Sequence, residues 1–87
     1  MFKIVYSKNA VKDVKKVKSY GLTDNLKKLL DVIRNSPYQV PPPYEKLIGD
    51  LQGAYSRRIN IQHRLVYQVF EEEKVIKILS LWTHYER

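Results

Sequence analysis

Cysteine is absent from this chain, which removes disulfide staples and thiolate metal sites together and suits a reducing compartment without requiring one. Histidine is scarce, with only His63 and His84 present, so the residues suggest no metal site, and no cofactor is implied. No apolar run reaches the ~18 residues that span a bilayer, and Met1–Tyr6 meets charge already at Lys3, too early for a signal peptide. These absences lead to the expectation of a soluble, cytoplasmic protein with no membrane attachment. Acid is also in short supply: nine Asp plus Glu stand against sixteen Lys plus Arg, a formal charge of +7. A field of that sign attracts polyanions, whether nucleic acid, an acidic protein or an anionic surface, and charge alone does not choose among them.

What is present argues for a folded body. The chain has 87 residues, 44% hydrophobic with seven tyrosines, which is globular rather than disordered composition. The length suits one domain over 1–87 that buries roughly two-thirds of its unfolded surface.

Phe2–Tyr6 alternates as a first strand, and Ser7 offers a hydroxyl as N-cap for a helix from about Lys8. Val11, Val14 and Val17, joined by Ala10, recur with helical spacing, and Gly21 supplies the C-cap. Thr23 opens a second helix with a stripe of Leu26, Leu29, Leu30 and Ile33, which Ser36-Pro37 ends. The two helices are expected to form an antiparallel hairpin laid on one face of a sheet. Pro41-Pro42-Pro43 reads as a stiff, extended spacer that delivers Tyr44-Glu45-Lys46-Leu47 beside that sheet.

The last third reads as an antiparallel meander: Tyr55–Ile59, His63–Phe70 and Lys74–Tyr85, with Glu71-Glu72-Glu73 as a polar turn. The fold class is therefore α+β, two N-terminal helices packed on an antiparallel β-sheet. In the second of these strands His63, Leu65, Tyr67 and Val69 share one face, and Arg64, Val66, Gln68 and Phe70 share the other. Strict alternation in the last strand groups Ile76, Ile78, Ser80, Trp82 and His84, and His84 is expected on the face of Arg64. His63 reads as a half-buried or surface histidine.

These residues fit the cleavage of RNA. The ribose 2′-hydroxyl is an internal nucleophile, so cleavage needs a base for it, cations around the phosphorane and an acid for the departing 5′-oxygen. Glu45 suits the base and His84 the acid, while Arg64 binds phosphate bidentately. Tyr85 can orient the phosphate or stack on a base, and Arg57 or Arg58 can hold the backbone. Only one of those adjacent arginines can face the site if both lie in a regular strand. A non-catalytic basic RNA-binding module and a purely structural interaction protein remain alternatives.

Four blocks carry a resemblance over nearly the whole chain: Pro43-Tyr44-Glu45-Lys46-Leu47, Gly53-Ala54-Tyr55-Ser56-Arg57-Arg58-Ile59, His63-Arg64-Leu65-Val66-Tyr67 and His84-Tyr85. In that order they resemble the YoeB (Txe) toxins of the RelE superfamily. The resemblance implies a RelE-like, microbial-ribonuclease-like fold and an mRNA endonuclease of a toxin–antitoxin pair, acting in the ribosomal A site. It implies a YefM-type antitoxin, the ribosome and mRNA as partners, and it allows a homodimer. Carried over by position, Glu45 matches the family's general base, Arg64 its phosphate-binding arginine, His84 its general acid and Tyr85 the adjacent site tyrosine.

Overall fold

The computed structural model describes residues 1–47 and 53–81. Its elements run β1 (Lys3–Tyr6), α1 (Lys8–Ser19), α2 (Thr23–Asn35), β2 (Glu45–Lys46), β3 (Ala54–Arg58), β4 (Arg64–Phe70) and β5 (Val75–Ser80). The five strands form one sheet in the order β1-β5-β4-β3-β2. Strands β2 to β5 pair antiparallel, as the meander pattern leads one to expect, but β1 adds to the outer edge of β5 in parallel. The sheet is thus mixed. Two helices intervene between β1 and the meander, and that length of chain permits the crossover a parallel pair needs.

Ser7 joins helix and sheet at this edge. Its Oγ accepts from the Ala10 amide at 3.1 Å as the expected N-cap and donates to the Leu79 carbonyl at 3.0 Å. At the other end of α1, Gly21 has φ +71°, its N–H donates to Lys18 and that of Leu22 to Val17. This double closure is a Schellman motif, and its left-handed residue is why a glycine stands there.

Both helices cover one face of the sheet. Ala10 and Val17 of α1 and Leu26, Leu29, Leu30 and Ile33 of α2 pack with Ile59, Leu65, Tyr67, Ile76, Ile78 and Leu81. The α2 stripe is the expected one. The α1 stripe is narrower than its valines suggest, because Val11 and Val14 are 56% and 39% exposed. Short α1 meets the sheet through positions 10 and 17, one heptad apart, and the valines between them lie to the side of that line.

Two further expectations are corrected. The proline segment does not run extended: the chain bends at positions 40–42, and the Val40–Pro41 and Pro41–Pro42 bonds are cis. Nor does β5 alternate throughout. Val66 pairs with Ser80 but Tyr67 pairs with Ile78, leaving Leu79 as an extra residue. This bulge switches the inward positions from Ile76 and Ile78 to Leu81. Unbroken alternation would have grouped His84 with Ile76 and Ile78, which face the helices, away from Arg64. Alternation counted along β5 therefore does not decide the face of His84, which lies outside the described residues.

Candidate active site

A cleft of about 250 Å³ opens on the sheet face away from the helices, at the β2 edge, lined by Pro42, Pro43, Tyr44, Glu45, Ser56, Arg58 and Arg64. Three strands build it. Glu45 of β2 pairs with Ser56 of β3, and Ser56 pairs in turn with Val66 of β4, two residues beyond Arg64. Arg58, at the end of β3, pairs directly with Arg64.

Within this frame Arg64 Nη1 donates to Glu45 Oε1 and to Ser56 Oγ, each at 3.2 Å. The two charged side chains differ in exposure. Arg64 retains 23% of its side-chain exposure, whereas Glu45 retains 66%. Burial of the arginine stem against the sheet fixes the cation, and the carboxylate reaches it from the more open side. Two guanidinium groups against one carboxylate leave the cleft net positive. A phosphate entering it would meet Arg58 and Arg64, with a carboxylate close enough to accept a proton from a neighbouring hydroxyl.

The adjacent arginines have opposite fates, which answers the choice left open by the sequence. Arg58 is exposed and lines the cleft. Arg57 is fully buried on the other face, so its assignment as a substrate contact is corrected. Its Nε donates to the Tyr67 hydroxyl at 2.9 Å, Nη1 to the Pro42 carbonyl at 2.5 Å, and Nη2 to the carbonyls of Pro37 and Gln39 at 3.0 and 2.9 Å. The guanidinium also lies 4.9 Å from the centre of the Tyr44 ring. Period-two alternation in β3 forces the split, because Ser56 and Arg58 share the face of the cleft.

Around Arg57 lies a tyrosine cluster. Tyr55 contacts the rings of Tyr38, Tyr44 and Tyr67 at centroid distances of 5.4, 5.6 and 5.7 Å. Burial pushes the Tyr67 hydroxyl above the ordinary phenol value, with the neighbouring Arg57 acting against that rise. Tyr38 is raised as well, first by burial and then by donating to Glu71 Oε2 at 2.7 Å.

Of the other residues singled out in the sequence, Glu45, Arg58 and Arg64 come together in the cleft, whereas His84 and Tyr85 lie outside the described residues. His63 is buried at 7% exposure and packs edge-on to Tyr20, 5.9 Å between centroids, so it is more deeply buried than the half-buried or surface histidine expected. Sequence reasoning passed over Ser56, Tyr44 and Asp13. Ser56 has the strand parity of Arg58, which was the available signal. Asp13 accepts from the Leu81 amide at 3.0 Å and from Ser80 Oγ at 3.4 Å, holding the end of β5 to α1, and nothing in the helix pattern marks that role. Among the described residues no cluster of three His, Cys, Asp or Glu side chains could hold a metal ion, and no helix is long and apolar enough to cross a membrane.

Comparison with known proteins agrees with this architecture. The family model for the YoeB-like toxin of bacterial type II toxin-antitoxin systems matches residues 6–85. Toxin YoeB of a Synechocystis species is 37% identical over 59 residues, which is 68% of this chain and 66% of the relative, so the match spans just under two-thirds of that curated protein. Among solved structures, the YoeB-YefM complex from Staphylococcus aureus aligns with a TM-score of 0.81 at 35% identity, covering 98% of this chain and 99% of that one. The YoeB dimer from the same organism gives 0.80 at 38% identity over 97% and 98%. The match across nearly the whole length, in sequence and in fold, means that this chain belongs to the YoeB-like toxins of bacterial type II toxin–antitoxin systems.

Proposed function

We propose that residues 1–87 act as one catalytic domain, a ribosome-dependent mRNA endonuclease that cuts by metal-free acid–base chemistry. The observation that carries this reading is the cleft itself, in which a carboxylate and two arginines converge on one space of about 250 Å³, roomy enough for a phosphate group together with its sugar. Glu45 takes the proton of the ribose 2′-hydroxyl, and the 2′-oxygen attacks the adjacent phosphorus. Arg64 binds the phosphate and stabilises charge that builds on its equatorial oxygens. As the bond to the 5′-oxygen breaks, His84 donates a proton to that oxygen, leaving a 2′,3′-cyclic phosphate and a free 5′-hydroxyl. Tyr85 orients the phosphate or stacks on a base, and Arg58 holds the neighbouring backbone.

The positive cleft needs a cover when the toxin is silent. Relatives solved as a YoeB-YefM complex and as a YoeB dimer support an antitoxin of the YefM type, and a homodimer, as partners of this chain. Translating ribosomes and their mRNA place the activity in the cytoplasm.

The test compares wild type with the Glu45→Ala/His84→Gln double variant in a translating extract, mapping 5′ ends on the message. Cleavage by the wild type and none by the double variant is the expected result. Equal cleavage by both overturns the acid–base mechanism, and RNA binding by both without cleavage favours a non-catalytic RNA-binding module.

A further inference from the structure

We infer that Arg57 is a positioning residue for Glu45, acting through the segment 37–44, a role that rests on the endonuclease reading above. The backbone alone holds Glu45 weakly. Strand β2 is two residues long and lies at the edge of the sheet, tied to β3 by the Glu45–Ser56 and Lys46–Tyr55 pairs and by Leu47 N–H donating to Ala54 at 2.9 Å. The loop that leads to it gains only one backbone bond of its own between 37 and 44, from Gln39 N–H to Ser36, among the described residues. Three consecutive prolines there bring no amide donors.

Arg57 supplies what that loop lacks. Its guanidinium gathers the carbonyls of Pro37, Gln39 and Pro42, and packs against the ring of Tyr44, the residue before Glu45. The Tyr67 hydroxyl completes the arrangement, accepting from Arg57 Nε and donating to the Pro37 carbonyl at 2.8 Å. The base is thereby referred to β3 and β4, the same strands that carry Arg58 and Arg64. A planar fork with five fixed donors can satisfy acceptors spread over six residues, and an ammonium group cannot. A cation buried only for packing would need neutralising partners but would have no reason to collect the carbonyls of the one loop that ends at the base.

The experiment separates this role from general stability. Hydrogen exchange of the Leu47 amide reports the attachment of β2, and amides of β4 report the core. Arg57→Lys is expected to speed Leu47 exchange by about tenfold or more while β4 amides keep their protection. In the cleavage assay it is expected to lower kcat by about 100-fold, with KM within about threefold, since a small displacement of a catalytic group is costly. Should Arg57→Lys fail to fold, Tyr67→Phe, which removes one hydroxyl from the same network, is expected to shift both readouts in the same direction and less. Exchange at Leu47 that is unchanged, or that rises only in step with β4, overturns the positioning role. A wild type that cuts no RNA overturns the endonuclease reading instead, and the exchange result still decides whether Arg57 holds the Glu45 strand.

Discussion

Arg64 and Glu45 meet over Ser56 although 19 positions separate them in the chain, because β2 and β4 both pair with β3: Ser56 lies opposite Glu45, and Arg64, opposite Arg58, reaches back to the Ser56 hydroxyl. The contact depends on the register of three strands, yet it adds little to stability, since Glu45 is two-thirds exposed and well solvated. Glu45→Gln, close in shape, is therefore expected to change unfolding free energy by less than about 1 kcal/mol. Cleavage, in contrast, is expected to fall about 10²–10⁴-fold, the usual contribution of a general base. Urea titration and cleavage rates on the same preparations check both; a loss of activity that tracks a loss of fold would remove Glu45 from the chemistry.

Arg58 offers a different signature. It is exposed at the end of β3, and its proposed task is electrostatic contact with the RNA backbone. Arg58→Ala is expected to weaken RNA binding and to reduce the slope of log affinity against log salt by about 0.7, the value for one phosphate contact on a single strand. Stability should move by no more than about 0.5 kcal/mol. Fluorescence anisotropy across a salt series makes the measurement, and an unchanged slope would mean that Arg58 touches no phosphate.

Much of this arrangement was legible in advance because it rests on local rules. The Ser7 cap, the α2 stripe and the meander follow from hydroxyl capping, helical spacing and period-two alternation, and Glu45, Arg58 and Arg64 fall into the cleft as the strands assemble. What escaped the sequence depended on distant partners. Arg57 and Arg58 are chemically alike, and only the position of the proline loop makes one of them a buried hub. The Leu79 bulge carries no sequence mark, yet it reverses which side of β5 faces the helices. Parallel pairing of β1 likewise depends on a crossover that no residue of β1 announces.

The tyrosine cluster should give the fold an alkaline limit. In the unfolded chain a tyrosine loses its proton near pH ~10, whereas Tyr38 and Tyr67 are held protonated above that value in the folded protein, by burial first in both. Between those pH values the unfolded state binds fewer protons than the folded one, so stability declines as pH rises. Stability is expected to be level with respect to these two groups below pH ~10 and to fall above it. Tyr38→Phe should flatten part of that decline, measured as the difference in unfolding midpoint between wild type and variant from neutral to alkaline pH. A decline that is identical in both proteins would show that Tyr38 does not contribute.

Gly21 gives the cleanest test of the helix hairpin. It sits at φ +71° in the Schellman closure of α1, and a methyl group built there meets no atom within 4 Å. Any cost of Gly21→Ala must then come from the backbone conformation rather than from crowding. That cost is about 1 kcal/mol for an L-residue held left-handed, partly offset by the lower entropy of the unfolded alanine chain. Gly21→Asn should lose less, because asparagine tolerates this region. For a chain of this length 1 kcal/mol corresponds to a drop in Tm of about 4–8 °C, so thermal unfolding resolves the order glycine, asparagine, alanine. Because the closure lies at the far end of α1 from Ser7 and contributes no residue to the cleft, cleavage per folded molecule should not follow that order. An alanine variant as stable as wild type would mean that the chain leaves α1 by some other turn.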